Sequence, residues 1–426
     1  MKIAIAGYGQ EGEASYKYWS ANPDNQITIV DRRKPDAEVP EGVPVMIGID
    51  APEKLQGFDL VIRTPRMRPD MIKTDGKIWS ITNEFFAKCP AQIIGVTGSK
   101  GKGTTVSLIA SILESAGKKV WVVGNIGKPA LGILGQIKTE DVVVYELSSF
   151  QLWDLEKSPH IAVILFIEQE HLNVHVDMDE YVLAKANITK YQKNDDILVY
   201  NQSNQYAKKI AVNSKANLLG YPDNLSAHVN EGNFCFGEQI ICSVNSLGIV
   251  GKFNYDNACA AIDAVWGITN DNKTIESGLK SFKGLPHRLQ FVCEVDAVKY
   301  YDDSIATIPG AAIAAVNAFD GPKVIILGGS PKGSDFTNLG KELAKQDVKA
   351  ILTGDEAQRI ADSCKNAGFN NFEIMEYISM DKVVSRAKEI ASPGGYVILS
   401  PACASFDHFK DYGDRGDQFS AAVGRL

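Results

Sequence analysis

The 426-residue sequence predicts an α/β protein built from three consecutive sheets. Three observations predict it. Short apolar runs alternate with amphipathic helical stretches along most of the chain, the pattern of parallel sheets covered by helices. Two glycine-rich turns, Gly7–Gly12 and Gly95–Thr105, each follow an apolar strand and open a helix. The length allows about two to four domains, each able to bury its own core.

Residues 1–90 start with a strand over Lys2–Ala6, the loop Gly7-Tyr-Gly9-Gln-Glu-Gly12, a helix, and a strand over Gln26–Val30 that ends at Asp31. Strand, G-x-G-x-x-G, helix, strand and acid form a dinucleotide fingerprint, so this segment reads as Rossmann-like. The bland alternative is glycine used only for tight packing. Asp31 is followed by Arg32 and Arg33, and later by Ile62-Arg63-Thr64-Pro65-Arg66-Met67-Arg68. A solvated basic face and a site for a nucleotide diphosphate explain these arginines equally well.

Residues 91–284 place strands at Ala91–Val96, Lys119–Val123, Asp141–Glu146, His160–Ile167 and Ile197–Tyr200, predicting a P-loop ATPase-type parallel sheet. Its first turn reads Gly98-Ser99-Lys100-Gly101-Lys102-Gly103-Thr104 before a helix expected to begin near Thr104. Such a loop aims backbone N–H groups and a helix N-terminus at a polyphosphate, and Lys102 adds charge where the terminal phosphates lie; ATP is the expected ligand. Glu146 ends an apolar strand beside that loop, where such sheets hold Mg²⁺. Glu170, His171 and His175 stand at another strand end; their spacing is weak for zinc and better for a hard-metal site aided by one imidazole. Lys185 falls in a helix expected over Asp179–Tyr191, beside a buried stripe of Tyr181, Ala184, Ile188 and Tyr191, and reads on residues alone as a surface lysine. A small antiparallel excursion is expected over about 215–250, then a helix over Asn254–Trp266, whose Asn254 and Asn257 could read a base edge or cap the helix.

Residues 285–426 repeat the alternation with strands at Ala297–Asp302, Lys323–Leu327, Val348–Thr353 and Tyr396–Leu399, predicting a second Rossmann-like sheet. The linker Gly284-Leu-Pro-His287-Arg288 brings an arginine able to reach a phosphate. Asp302-Asp303 suits a ribose, and Lys332 and Ser405 follow strands on the sheet edge where substrates bind.

A net charge of −8 and a pI near 5.4 argue against a nucleic-acid partner. No apolar run reaches membrane-span length, and the N-terminus reads as a strand rather than a signal peptide. Seven cysteines, scattered singly, point to a reducing cytoplasm.

Together, TGSKGKGTT, GNIG (124–127), ELSSFQL (146–152), EQEHLNVH with Ala184-Lys185, N-x-x-N at 254–257, GLPHR (284–288), DDSIAT (302–307), GGSPKGSDF (328–336) and LSPACASFDHFKDY (399–412) resemble the Mur ligases, most closely their glutamate-adding type. The resemblance runs in order through the whole chain. It implies that Gly7, Gly9, Gly12, Asp31, Arg32 and Arg33 hold the UDP part of UDP-N-acetylmuramoyl-L-alanine, with Asn125 and His171 at its muramoyl-peptide end. It implies that Gly98–Thr104, Asn254, Asn257 and Asp303 hold ATP, with Arg288 near its phosphates. Thr104, Glu146, His171 and Lys185 would surround Mg²⁺, with Lys185 carbamylated into a carboxylate-like ligand. Thr307, Lys332, Ser405 and Tyr412 would hold glutamate. A monomer that binds neither nucleic acid nor membrane is expected.

The sequence also departs from the family pattern. Gly103 stands where Ser or Thr usually follows the loop lysine, Ile305 replaces a lysine, Phe253 replaces a histidine, and Thr64-Pro65-Arg66 replaces Ser-Pro-Gly. The implied reaction is ATP-dependent addition of D-glutamate through an acyl phosphate in peptidoglycan precursor synthesis, catalysed by Lys102, Glu146, His171 and Lys185. The Ile305 and Arg66 departures keep L-glutamate as the alternative. A folylpolyglutamate synthase-like ligase lacks the first domain and the SPACAS block. A nicotinamide-dependent oxidoreductase leaves the phosphate loop and Glu146 unexplained, and a non-catalytic nucleotide-binding relative has only the departures for support.

Overall fold

The computed structural model describes residues 1–35 and 37–426. Strands β1 (Lys2–Ala6), β2 (Gln26–Asp31), β3 (Val45–Ile47), β4 (Leu60–Arg63) and β5 (Lys77–Ser80) form a parallel sheet in the order β3-β2-β1-β4-β5. The glycine loop after β1 leads into helix α1 (Gln10–Ser20), and helix α2 (Ile81–Lys88) follows β5. Ser80 caps α2 by accepting from the Asn83 amide, satisfying one of the helix's unpaired donors.

The second sheet is also wholly parallel. It contains β6 (Gln92–Thr97), β7 (Val120–Gly124), β8 (Val142–Glu146), β9 (Ile161–Ile164), β10 (Ile197–Asn201) and β11 (Asn217–Tyr221) in the order β11-β10-β9-β6-β8-β7. β6 is flanked by β8 on one side and β9 on the other. The crevice at its C-terminal end is therefore where a doubly wound sheet opens to ligand. Strands β12 (Ala227–Asn230), β13 (Asn233–Phe236) and β14 (Gln239–Ser243) make a small antiparallel sheet. The expected excursion is thus shorter than 215–250, because residues 217–221 join the parallel sheet beside β10.

The last sheet runs β15-β16-β20-β17-β18-β19, from β15 (Gln290–Val295), β16 (Val298–Asp302), β17 (Lys323–Gly328), β18 (Val348–Thr353), β19 (Phe372–Ile374) and β20 (Tyr396–Leu399). Only β15 is antiparallel to its neighbour.

The chain divides into two compact units, residues 1–246 with 255–279, and residues 247–254 with 280–426. In the first, the two parallel sheets share one core: Ile3, Ile62, Phe85 and Phe86 pack with Val143, Tyr145, Leu152 and Tyr181. In the second, helices lie on both faces of the sheet, with Ile325, Leu327 and Leu352 towards one layer and Val324, Ile326 and Val397 towards the other.

Two elements end sooner than their apolar patterns predict. β9 stops at Ile164 because the next residues turn to support the phosphate loop: the Leu165 amide donates to Thr97 O at 2.9 Å and the Ser99 amide to Phe166 O at 2.8 Å. The helix expected over Asp179–Tyr191 spans Met178–Ala186, capped by Asn187, whose amide donates to Leu152 O and Trp153 O at 3.0 Å. Tyr191 then lies outside the helix, 43% exposed.

The helix Phe253–Val265 carries a buried carboxyl, Asp263, which accepts from the Ala227 amide at 2.8 Å and so ties the small sheet down. Its Oδ2 is buried without a hydrogen-bond partner among the described residues, and burial pushes its pKa up to about 7. A carboxyl raised in the folded state favours folding most below its unfolded pKa near 4, and that contribution fades as pH rises towards 7. Asp263→Asn should therefore flatten the decline. Urea unfolding should show the wild type losing on the order of 1 kcal/mol per pH unit relative to the variant between pH 5 and 7. A pH-independent difference would contradict the linkage.

Candidate active site

The phosphate loop leaves β6 at Thr97 and enters helix α3 (Lys102–Ser115), two residues earlier than expected. Gly101 sits at φ +86°, and a Cβ there would lie 2.2 Å from Asn257 Oδ1, so glycine is required both by conformation and by space. Asn257 also accepts from Thr105 Oγ1 at 3.3 Å, which places an amide against the start of α3. The Ser99 hydroxyl is turned inward, within hydrogen-bond distance of the Glu168 backbone and of Tyr181 Oη, and so braces the loop. Lys100 pairs with Glu168, and Thr104 is buried in the first turn of α3. The Lys102 ammonium folds back on the loop, donating to Ser99 O at 2.7 Å and Gly98 O at 3.0 Å.

Beside this loop, β8 ends at Glu146, which is buried. Its Oε1 accepts from Asn125 Nδ2 at 2.9 Å, while Oε2 is buried with no hydrogen-bond partner among the described residues. Asn125 comes from the turn after β7 and also donates its backbone amide to Glu146 O. Lys185 is not the surface lysine that its place in the helix suggests. It is 1% exposed and donates to Gly98 O at 2.8 Å, with Thr97 Oγ1 at 3.4 Å and the Tyr181 ring 4.6 Å away. Burial, reinforced by the Lys102 charge and opposed by Glu170 and Glu146, holds its pKa well below the ordinary lysine value. Burial of this kind favours the uncharged amine over the ammonium.

His171 adopts φ +57° and packs on Phe150 with ring centres 5.0 Å apart. Burial lowers its pKa, with Glu170 opposing and Lys102 and Lys185 adding to the effect. His175 is a buried residue, its Nε2 2.9 Å from Ser149 Oγ and its ring stacked on Phe150. The two imidazoles therefore play different parts, and among the described residues no three His, Cys, Asp or Glu side chains gather closely enough to hold a metal ion.

A cleft of about 960 Å³ joins Lys102, Asn125, His171 and Lys185 to the N-terminal sheet. Its walls include Gly7–Gly12, Asp31–Arg33, Thr64–Met67, Lys102, Asn125, Ser148–Gln151, Glu170, His171, Tyr181 and Lys185. Gly7, at φ +98°, leaves no room for a Cβ, which would fall 2.0 Å from Thr64 Oγ1. Asp31 accepts from the Tyr8 amide at 2.9 Å and from the Arg33 amide, so it orders the glycine loop. Arg32 and Arg33 are exposed.

The arginine-rich stretch divides by function. Arg63 is 1% exposed, ion-paired to Asp154 at 2.5 Å, and donates to Phe150 O, which stitches the two sheets together. Arg68 pairs with Glu180 and Asp70. Arg66 is the exposed member, on the cleft wall. Residues not singled out by their pattern also line the cleft. Tyr181 looked like core alone, and Glu11 is a carboxyl raised to about 7 by burial, with Arg63 opposing. Only proximity in space marks them.

In the second unit, Asn254 donates to Val250 O, and Arg288 is exposed. Asp303 is buried, with Oδ2 accepting from Ser400 Oγ at 2.7 Å and Oδ1 from the Leu289 amide; burial raises its pKa to about 7. These bonds make Asp303 an anchor of the 284–289 linker. His287 pairs with Asp302 at 2.7 Å. Thr307 is half-buried, Ser405 buried, and Lys332 and Tyr412 exposed.

Residues 96–265 match the Mur ligase middle domain and residues 287–403 the Mur ligase glutamate ligase domain. UDP-N-acetylmuramoylalanine–D-glutamate ligase of Clostridium tetani is 36% identical over 450 residues, covering 100% of this chain and 97% of that one. The protein of the same name from Clostridium acetobutylicum is 37% identical over 448 residues, covering 100% and 96%. Among solved structures, UDP-N-acetylmuramate-alanine ligase MurC of Thermotoga maritima aligns with a TM-score of 0.60 at 18% identity, covering 100% of this chain and 99% of that one. MurF ligase of T. maritima in complex with ADP aligns at 0.61 and 17%, covering 99% and 95%. E. coli FolC, in complex with DHPP and ADP, aligns at 0.59 and 17%, covering 81% and 92%, a likeness of fold.

Proposed function

Since this chain belongs to the Mur ligase family of ATP-dependent, amide-forming ligases, we propose that it joins D-glutamate to UDP-N-acetylmuramoyl-L-alanine in peptidoglycan precursor synthesis. The observation that carries this reading is the single cleft lined by the glycine loop after β1, by Lys102, and by His171 and Lys185. A nucleotide-linked acid held along the glycine loop would reach the phosphate loop in that cleft. The oxidoreductase alternative falls with family membership.

In the proposed reaction the substrate carboxylate attacks the ATP γ-phosphate, giving an acyl phosphate and ADP. The glutamate amine then attacks the acyl carbon and phosphate leaves. Gly98–Thr104 would cradle the ATP phosphates, with Asn257, Asn254, Arg288 and Asp303 as further ATP-side residues. Gly7–Gly12, Asp31, Arg32, Arg33 and Asn125 would hold the UDP substrate. Lys102 would move from its loop carbonyls to the transferring phosphoryl group and offset its charge.

The residues beside the loop also fit Mg²⁺. Glu146 offers a buried oxygen without a hydrogen-bond partner among the described residues, and a carbamate on Lys185 would add hard anionic oxygens next to it. Thr104 and His171 complete the proposed set. When bound, Mg²⁺ would offset phosphate charge. The lowered pKa of Lys185 supports the modification, since only a neutral amine adds to carbon dioxide.

The decisive assay is phosphate release with ATP, UDP-N-acetylmuramoyl-L-alanine and each glutamate enantiomer. Release with D-glutamate alone is expected. Release with only the L-enantiomer would overturn the stereochemistry while leaving the ligase, and Arg66 and Ile305 are the residues that favour that second reading. No release with either would overturn the substrate assignment.

A further inference from the structure

We infer that Arg415 is a positioning residue for the amino-acid site, a buried guanidinium node from which the loops carrying Thr307, Lys332, Ser405 and Tyr412 are hung. The inference rests on the proposed glutamate-holding role of those four residues. Arg415 lies in the first turns of the helix Tyr412–Val423 and is 2% exposed, so it does not touch substrate itself. Its Nε donates to Ser304 Oγ at 2.9 Å and its Nη2 to Ser304 O at 2.8 Å. Nη2 also donates to Cys403 O and Nη1 to Ala404 O, both at 3.2 Å.

Each acceptor lies within three residues of a candidate glutamate ligand. Ser304 precedes Thr307 by three residues, and its hydroxyl donates on to Tyr412 O at 2.7 Å. Ala404 immediately precedes Ser405. The Ala404 carbonyl also accepts from the Ser330 amide at 2.9 Å, two residues before Lys332, and the Ser330 hydroxyl accepts from the Phe406 amide at 3.0 Å. All four side chains thus sit within three residues of this network.

All four oxygens that Arg415 reaches are neutral, so the arrangement depends on the planar fork. A lysine keeps the charge but has no rigid fork to span carbonyls on separate loops. A node of this kind should be felt in the affinity for the amino acid. General destabilisation would instead reduce the active fraction, and with it kcat, while leaving every KM alone.

Arg415→Lys is the test, with Ser304→Ala as a gentler variant that removes the shared hydroxyl. Both are assayed after circular dichroism and thermal unfolding show a folded protein. The expected result is a glutamate KM raised about tenfold or more in Arg415→Lys and less in Ser304→Ala, with the KM for ATP and for the UDP substrate within about twofold. The double variant should raise the glutamate KM by less than the product of the two single effects, because both act on one network. An unchanged glutamate KM in folded Arg415→Lys, or equal rises in all three KM values, would overturn the inference. Ser405→Ala separates this from the site reading. A raised glutamate KM in Arg415→Lys with none in Ser405→Ala keeps the node and removes Ser405 from the site; the reverse keeps the site and overturns the node.

Discussion

Lys102→Ala should lower phosphate release by at least about 10²–10³-fold, the cost of removing one preorganised charge from a transition state that is stabilised almost wholly by electrostatics. The protein should stay folded. The Lys102 side chain is only partly buried, and its ammonium rests on two carbonyls of its own loop, Gly98 O and Ser99 O. The conformation of that loop is set by Gly98 and Gly101 and by the inward-facing Ser99 hydroxyl, none of which needs the lysine. Thermal unfolding within a few degrees of wild type, together with lost turnover, is the expected pair of observations. Near-normal phosphate release would remove Lys102 from the reaction.

Lys185→Ala should be comparably inactive, losing about 10²-fold or more, and here added formate or acetate should restore part of the rate. The reason lies in where the ammonium sits. Lys185 is buried against Gly98 O, with burial and Lys102 both disfavouring its charged form. In its uncharged form the amine can add to carbon dioxide, losing a proton to become a carbamate. A small carboxylate entering the space left by the side chain would supply the same charge and oxygens. Incubation with ¹³C-bicarbonate should give a carbamate resonance in the wild type that the variant lacks. Wild-type activity in the variant, or no such resonance from active wild type, would sink the modification.

The two lysines show how differently sequence and structure speak. Lys102 is legible in one dimension, because the glycine spacing, the preceding apolar strand and the following helix are all local. Lys185 has no local signature. Its residue type at its place in an amphipathic helix reads as solvated, and only the resemblance of the surrounding blocks marked it. Its burial arises because the turn after β9 and the phosphate loop close over the helix, which no window of sequence contains. The arginines between 62 and 68 teach the same lesson from the other side. One cluster in sequence becomes a buried stitch at Arg63, an ion pair at Arg68 and an exposed cleft residue at Arg66.

What the sequence determined by itself was the α/β class, most strand positions and the phosphate loop, since these follow from apolar periodicity and from glycine at turns whose backbone no other residue fits. Tertiary structure alone decided which charged side chains are buried. It left a Glu146 oxygen without a hydrogen-bond partner among the described residues and tied both oxygens of Asp303 to neighbouring backbone and hydroxyl groups. It also let Arg415 gather loops that are far apart in the chain. Burial and hydrogen bonding between distant segments depend on how sheets pack, and packing is a property of the whole core.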